Sequence, residues 1–253
     1  MVGRVARDGG SRAVSGGVHL VGGGWGGDAR VWRAFVAEAA ARASSGPPRI
    51  VVVAVRDGDE QDHAAKLIAD VRAAGAFEPV VVAVREGERI GPDAFPDGLH
   101  GVLVGGGLTP AYRDAVLPAA DRIRALVGAG TPYGGFSAGS AIAASRALLG
   151  GWRAPDGRPV VDEDFAEDRE GIAVEAGLGL VPFSVDVHAA QWGTTTRLAA
   201  AVESGLVPEG VAIDEDTAVL VRDGRHEVAG TGNAWWIRPA DGGVLVRRET
   251  ASA

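Results

Sequence analysis

Ser137 stands in the run GGFSAGS (134–140), where Gly135, Ser137 and Gly139 form a G-x-S-x-G arrangement. The run lies between a short β-like stretch, YGGF (133–136), and a helical stretch rich in Ala and Ile, so the serine falls on a strand-to-helix turn. A turn that sharp leaves no room for a Cβ on either side of the serine, hence the flanking glycines. It aims the Oγ outward at the positive end of a helix and turns the Ala138 N–H toward a developing oxyanion. Gly105, Gly106 and Gly107 end the neighbouring run GVLVGGG (101–107). Carboxyl ends of adjacent parallel strands share one edge. There the Gly106 N–H can complete an oxyanion hole, and Gly107 lets a substrate pass close to the backbone. The chemistry these residues suit is nucleophilic attack on a carbonyl.

Such a serine needs a base. Of the five histidines, His19 and His226 lie in strands, His63 at a polar helix start and His100 just before a strand. His188 instead ends the apolar run LVPFSVDVH and precedes a polar helix start, 51 positions after Ser137. It is expected at the same sheet edge as the serine. The chain order suggests that the triad carboxylate lies between them, in VDEDFAEDRE (161–170), which offers Asp162, Glu163, Asp164, Glu167 and Asp168. Asp186, on the same strand face as His188, is another candidate. Gln191 and Arg197 follow His188 near a helix start and can bind a substrate carboxylate.

The elements that must position these groups alternate. Strand runs at 18–24, 50–55, 79–84, 101–107 and 133–136 are separated by helical stretches that include Gln61–Ala74, Arg113–Ala129 and Ala138–Leu149. That alternation predicts an α/β fold with a mostly parallel, flavodoxin-like sheet covered on both faces. Residues 152–177 read as a polar lid, 178–188 as a strand and Gln191–Glu203 as a helix. The C-terminal part reads as short strands and β-hairpins turning at Asp223-Gly224 and Asp241-Gly242. Residues 1–17 read as a disordered tail and 18–253 as one domain. A net charge of −8, with no Lys/Arg cluster, argues against a nucleic-acid partner. The absence of cysteine excludes a thiolate nucleophile or metal site. No apolar run spans a bilayer, and a cytoplasmic protein is expected; the sequence is compatible with a homodimer.

GVLVGGGLTP, YGGFSAGS, GLGLVPFSVDVHAAQWGTTTRL and GVAIDEDTAVLV, in this order over roughly residues 100–222, together resemble the cyanophycinase and dipeptidase E family of serine peptidases. The glycine-ended strand at 18–24 agrees with the start of that family. The resemblance implies a class I glutamine amidotransferase-like fold and a Ser-His-acid hydrolase without metal or cofactor, cleaving small peptides next to aspartate. Ser137 matches the nucleophile and His188 the histidine, while the glycine cluster and Ala138 match the oxyanion positions. Asp186, His188, Gln191, Gly193, Arg197 and Leu198 fit the cyanophycinase pattern D-Q-H-x-x-Q-R-G-R-L-x-R-L. Val187, Trp192 and Thr194 depart from it, and the last two replace arginines that would fork onto a carboxylate. Leu108 stands where related dipeptidases often carry asparagine. Counting back from His188 places the acid of the family at Asp164.

Three other readings compete. Gly22, Gly24 and Gly27 satisfy G-x-G-x-x-G after a strand, the fingerprint of a dinucleotide-binding module, but no acid ends the second strand and Asp28 would repel phosphate. An α/β-hydrolase would nominate the late His226 as base. A non-catalytic relative would use the same fold for binding, with Trp235-Trp236 as a contact surface.

Overall fold

The computed structural model describes residues 15–251. In chain order the elements are β1 (Val18–Val21), α1 (Arg30–Arg42), β2 (Arg49–Arg56), α2 (Glu60–Arg72), β3 (Glu78–Arg85), β4 (Gly101–Val104), α3 (Thr109–Val116), α4 (Ala120–Gly128), β5 (Tyr133–Phe136), α5 (Ala138–Ala141), β6 (Arg146–Leu148), β7 (Val174–Ala176), β8 (Ser184–Val187), α6 (Ala189–Trp192), α7 (Thr195–Glu203), β9 (Gly210–Ile213), β10 (Thr217–Arg222), β11 (Arg225–Gly230), β12 (Asn233–Ala240) and β13 (Gly243–Thr250).

The largest sheet has the order β11-β10-β1-β5-β4-β2-β3. From β1 to β3 all neighbours are parallel, and β10 and β11 add an antiparallel margin. The central strands are apolar without alternation because both faces are covered. In β2, Ile50 through Val55 are all buried. One face packs on α3, α4 and the segment after α5, with Tyr112, Val116, Ile123 and Ile142 in the core. The other packs on α1 and α2 through Trp32, Phe35, Leu67 and Val71.

The expectation of one sheet is corrected. Strand β8, which carries His188 at its end, belongs to a second sheet of order β13-β12-β9-β8. The two sheets are laced together at the carboxyl edge of the first: His188 N–H donates to Gly22 O at 2.9 Å, and the chain passes from β9 directly into β10 through residues 214–216. The helix expected over Arg113–Ala129 is broken into α3 and α4 around Pro118, which has no N–H to continue the ladder. The helix expected over Ala138–Leu149 stops at Ala141. The carbonyls of Ile142 and Ala143 instead accept from Leu178 and Leu180 N–H, and residues 146–148 pair with 174–176 as a small antiparallel two-stranded sheet at the base of the lid. Of the tail expected over 1–17, positions 1–14 lie outside the described residues, whereas Gly16 and Gly17 are bonded to Val127 O and to the Glu38 carboxylate.

Candidate active site

Because β1, β5 and β4 are adjacent and parallel, their carboxyl ends deliver Gly22, Ser137 and Gly105 side by side. Ser137 has φ 51° and ψ −111°, a conformation that costs a non-glycine residue about 1–3 kcal/mol. Its surroundings hold it there. Ser137 N–H donates to Val21 O, Gly139 N–H to Gly105 O, and the Ser140 hydroxyl reaches Val21 O and Gly135 O at 2.8 Å each. The flanking glycines are required sterically. A Cβ on Gly135 would fall 2.6 Å from Gly139 C, and one on Gly139 would fall 2.2 Å from Val104 O. Among the described residues, neither the Ala138 nor the Gly106 N–H donates to another backbone or side-chain group, and Gly106 lies against Ser137 Cβ.

The Ser137 Oγ is 2.8 Å from His188 Nε2. On the far side of the ring, His188 Nδ1 meets Glu215 Oε1 at 2.6 Å. Serine, imidazole and carboxylate thus form one chain of hydrogen bonds. Burial holds the His188 pKa below its ordinary value, while the Glu215 carboxylate pulls the other way. A largely neutral ring near pH 7 can take the serine proton, and Glu215 can stabilise the imidazolium that results.

Glu215 replaces Asp164 as the partner of the histidine. Asp164 is exposed on the lid, and its N–H bonds to Asp162 Oδ1 in a local turn. Asp186 does not face His188 either. It is buried with Arg197, whose Nε and Nη2 fork onto its two oxygens at 2.9 and 2.7 Å, and the two side chains are 2 and 3% exposed. Arg197 is therefore committed to Asp186 and is not free to bind a substrate carboxylate. Its Nη1 donates to Phe165 O of the lid. Gln191 is also reassigned: its Oε1 accepts the Glu215 N–H at 3.0 Å, so it holds Glu215 in place.

The three carboxylates between β9 and β10 divide the work of positioning. Asp214, buried, accepts from Ala190 N–H at the start of α6, from Asn233 and from Trp235 Nε1. Glu215 turns out to His188. Asp216 accepts from Gly26 N–H and gives its own N–H to Gly23 O, which ties down the loop after β1. Two of the three glycines of the apparent dinucleotide fingerprint, Gly22 and Gly24, belong to this packing, and a Cβ on Gly24 would fall 2.8 Å from Asp216 Oδ1. Gly22 O receives the His188 N–H, and a Cβ on Gly23, which sits at φ 103°, would fall 2.2 Å from His188 Cε1. A strand-linking Asp-Glu-Asp run between two apolar strands was the sequence signal for the carboxylate that meets His188. It lay after the histidine rather than between serine and histidine.

Around Ser137 and His188 opens a cleft of about 760 Å³, lined by Gly106, Gly107 and Leu108, by Trp25, Arg56 and His63, and by lid residues 163–170 including Asp164 and Glu167. Glu167 folds back so that its carboxylate accepts the Thr109 N–H at 2.8 Å, and burial raises its pKa. The remaining histidines have other settings. His19 is buried against Glu38, His100 Nδ1 accepts from Arg49 N–H, and His226 Nε2 pairs with Glu249 in the hairpin region. Among the described residues no cluster of three or more His, Asp or Glu could hold a metal ion, and no helix is long and apolar enough to cross a membrane.

A strained serine bonded to an imidazole that is bonded in turn to a carboxylate, at the carboxyl edge of a parallel sheet, defines the serine hydrolase class on an α/β fold. The model of peptidase family S51 matches residues 100–229, about half of the chain. The chain belongs to that family and is a serine peptidase. No curated protein matches it. Among solved structures, a peptidase from an acI-B1 Actinobacterium has a TM-score of 0.65 at 13% identity, over 96% of this chain and 97% of its own. A protein named as a peptidase E from Listeria monocytogenes EGD-e has a TM-score of 0.55 at 15% identity, over 86% of this chain and all of its own. At these identities the likeness speaks to the fold.

Proposed function

We propose that this peptidase cleaves short peptides through an acyl-enzyme on Ser137, with His188 as general base and acid and Glu215 as the residue that orients and charges it. The observation that carries the reading is the unbroken Ser137–His188–Glu215 hydrogen-bond chain. His188 Nε2 takes the Oγ proton as the Oγ attacks the peptide carbonyl. The oxyanion is met by the Ala138 and Gly106 N–H groups, which have no other described acceptor. His188 then gives its proton to the leaving amine. A water deprotonated by the same imidazole resolves the ester, releasing the acid and restoring the serine.

Cleavage next to aspartate is the specificity the resemblance of residues 100–222 favours. With Arg197 committed to Asp186, two guanidinium groups line the cleft and can meet a substrate carboxylate, Arg169 of the lid and Arg56. Arg56 is the one beside the glycine cluster. It bonds Asp59 through Nε and Nη2, leaving Nη1 beside Gly107. A library of short peptides incubated with wild type, Ser137→Ala and His188→Ala tests both parts. Products formed by wild type alone, enriched in bonds flanking aspartate, are the expected result. Equal cleavage by Ser137→Ala would refute the mechanism, and cleavage indifferent to aspartate would refute the specificity.

A further inference from the structure

His188 and Trp192 are four positions apart, and Trp192 N–H donates to His188 O at 2.8 Å, which closes the single turn of α6. That spacing places the two side chains on one face of the turn. The indole lies flat on the imidazole, with ring centroids 3.7 Å apart and planes 14° apart. On its other face the indole meets Phe165 of the lid, again nearly parallel, at 4.9 Å and 8°. Imidazole, indole and phenyl therefore form one stack running from the base to the lid.

The outer end of the stack is fixed. The Phe165 carbonyl accepts from Arg197 Nη1, and Arg197 is locked by its buried fork onto Asp186, two residues before His188. Ala166 O accepts the Gly151 N–H, and Glu167 reaches the Thr109 N–H, so the lid is held at the two residues directly after Phe165. The inner end is fixed by Ser137, Glu215 and the Gly23 backbone, which touch the imidazole at its edge and at Cε1. The indole is what remains to stop the ring from tipping out of line with the serine. Its face also attracts the imidazolium formed when the serine proton moves.

We propose that Trp192, clamped by Phe165, is a positioning residue for the general base, through which the lid bears on the reactivity of Ser137. This rests on the Ser137–His188 reading above. The measurement is the rate of Ser137 acylation by a small fluorophosphonate, taken per folded molecule, alongside kcat and KM on a peptide cleaved by wild type. Trp192→Ala should slow labelling and lower kcat by about tenfold, equivalent to roughly 1.4 kcal/mol, with KM changed less than kcat. Trp192→Phe, which keeps a flat ring, should recover to within about threefold of wild type. Phe165→Ala, which leaves α6 intact, should move labelling in the same direction by a smaller factor and supplies the test if Trp192→Ala does not fold. Wild-type labelling rates in Trp192→Ala or Phe165→Ala, with only KM raised, would overturn the proposal and make these rings a wall of the cleft. Wild type left unlabelled would instead overturn the serine mechanism itself, and with it this role.

Discussion

Replacing Glu215 by Gln removes a charge without removing volume, and the geometry sets how much that should cost. The carboxylate oxygen is 2.6 Å from His188 Nδ1 and the side chain is 29% exposed. In the transition state the imidazolium and the carboxylate are unit charges with centres about 4 Å apart, worth roughly 4 kcal/mol at an effective dielectric constant near 20. Loss of that attraction corresponds to about a thousandfold in rate. A Gln that presents its amide N–H to Nδ1 adds the wrong tautomer, and the total then approaches the roughly 10⁴-fold known for loss of a triad carboxylate. The expected outcome for Glu215→Gln is a fall in kcat/KM of about 10³-fold, carried by kcat, with thermal stability near wild type. Asp164→Asn, on the exposed lid, should stay within about twofold. Steady-state hydrolysis and fluorophosphonate labelling both read this. A Glu215→Gln enzyme within tenfold of wild type, or an Asp164→Asn enzyme as impaired as expected for Glu215→Gln, would refute the assignment of the acid.

Burial lowers the His188 pKa and Glu215 raises it, so removing Glu215 should move the acidic limb of the kcat/KM profile to lower pH; a move to higher pH would contradict the source of the shift. Gly23→Ala places a Cβ 2.2 Å from His188 Cε1 at φ 103°, so activity should fall at least about 100-fold; an active variant would show that the imidazole has room to move. Breaking the buried ion pair by Arg197→Met should cost about 3–5 kcal/mol in denaturant unfolding, and adding Asp186→Leu should recover part of it because the orphaned charge is gone. Burial holds the His19 imidazole below its ordinary pKa, so the unfolded chain binds the extra proton. Stability from this group is present above about pH 6.5 and is lost as the pH falls; His19→Gln should flatten that part of a melting-temperature profile, and an unchanged slope would exclude His19 as its cause.

The parallel sheet was legible because β2, β3 and β4 are short β-rich runs bounded by glycine and charged turns, a pattern that buried parallel strands require. Ser137 was legible for a steric reason, since Gly135 and Gly139 each face a backbone atom closer than a Cβ allows. His188 could be singled out because an apolar strand ends there. The second sheet could not be read, because strand runs carry no mark of which sheet they join. Glu215 was missed for a related reason. It stands next to His188 only because β9 and β10 belong to different sheets and their link crosses between them. Arg197 and Gln191 have the residue types of substrate ligands, and only the placement of Asp186 and of the Glu215 N–H shows that both are already occupied.

The link at residues 214–216 joins two layers, and the proposed proton path runs over the same seam: Ser137 is fixed to one layer, His188 to the other, and Glu215 to the bridge. Turnover is therefore a sensitive gauge of how the layers are docked. A substitution far from the cleft that slides one layer by half an ångström would cost little in melting temperature, yet it would stretch both short contacts of the relay at once. Variants chosen only for thermal robustness can consequently lose the reaction while keeping the fold.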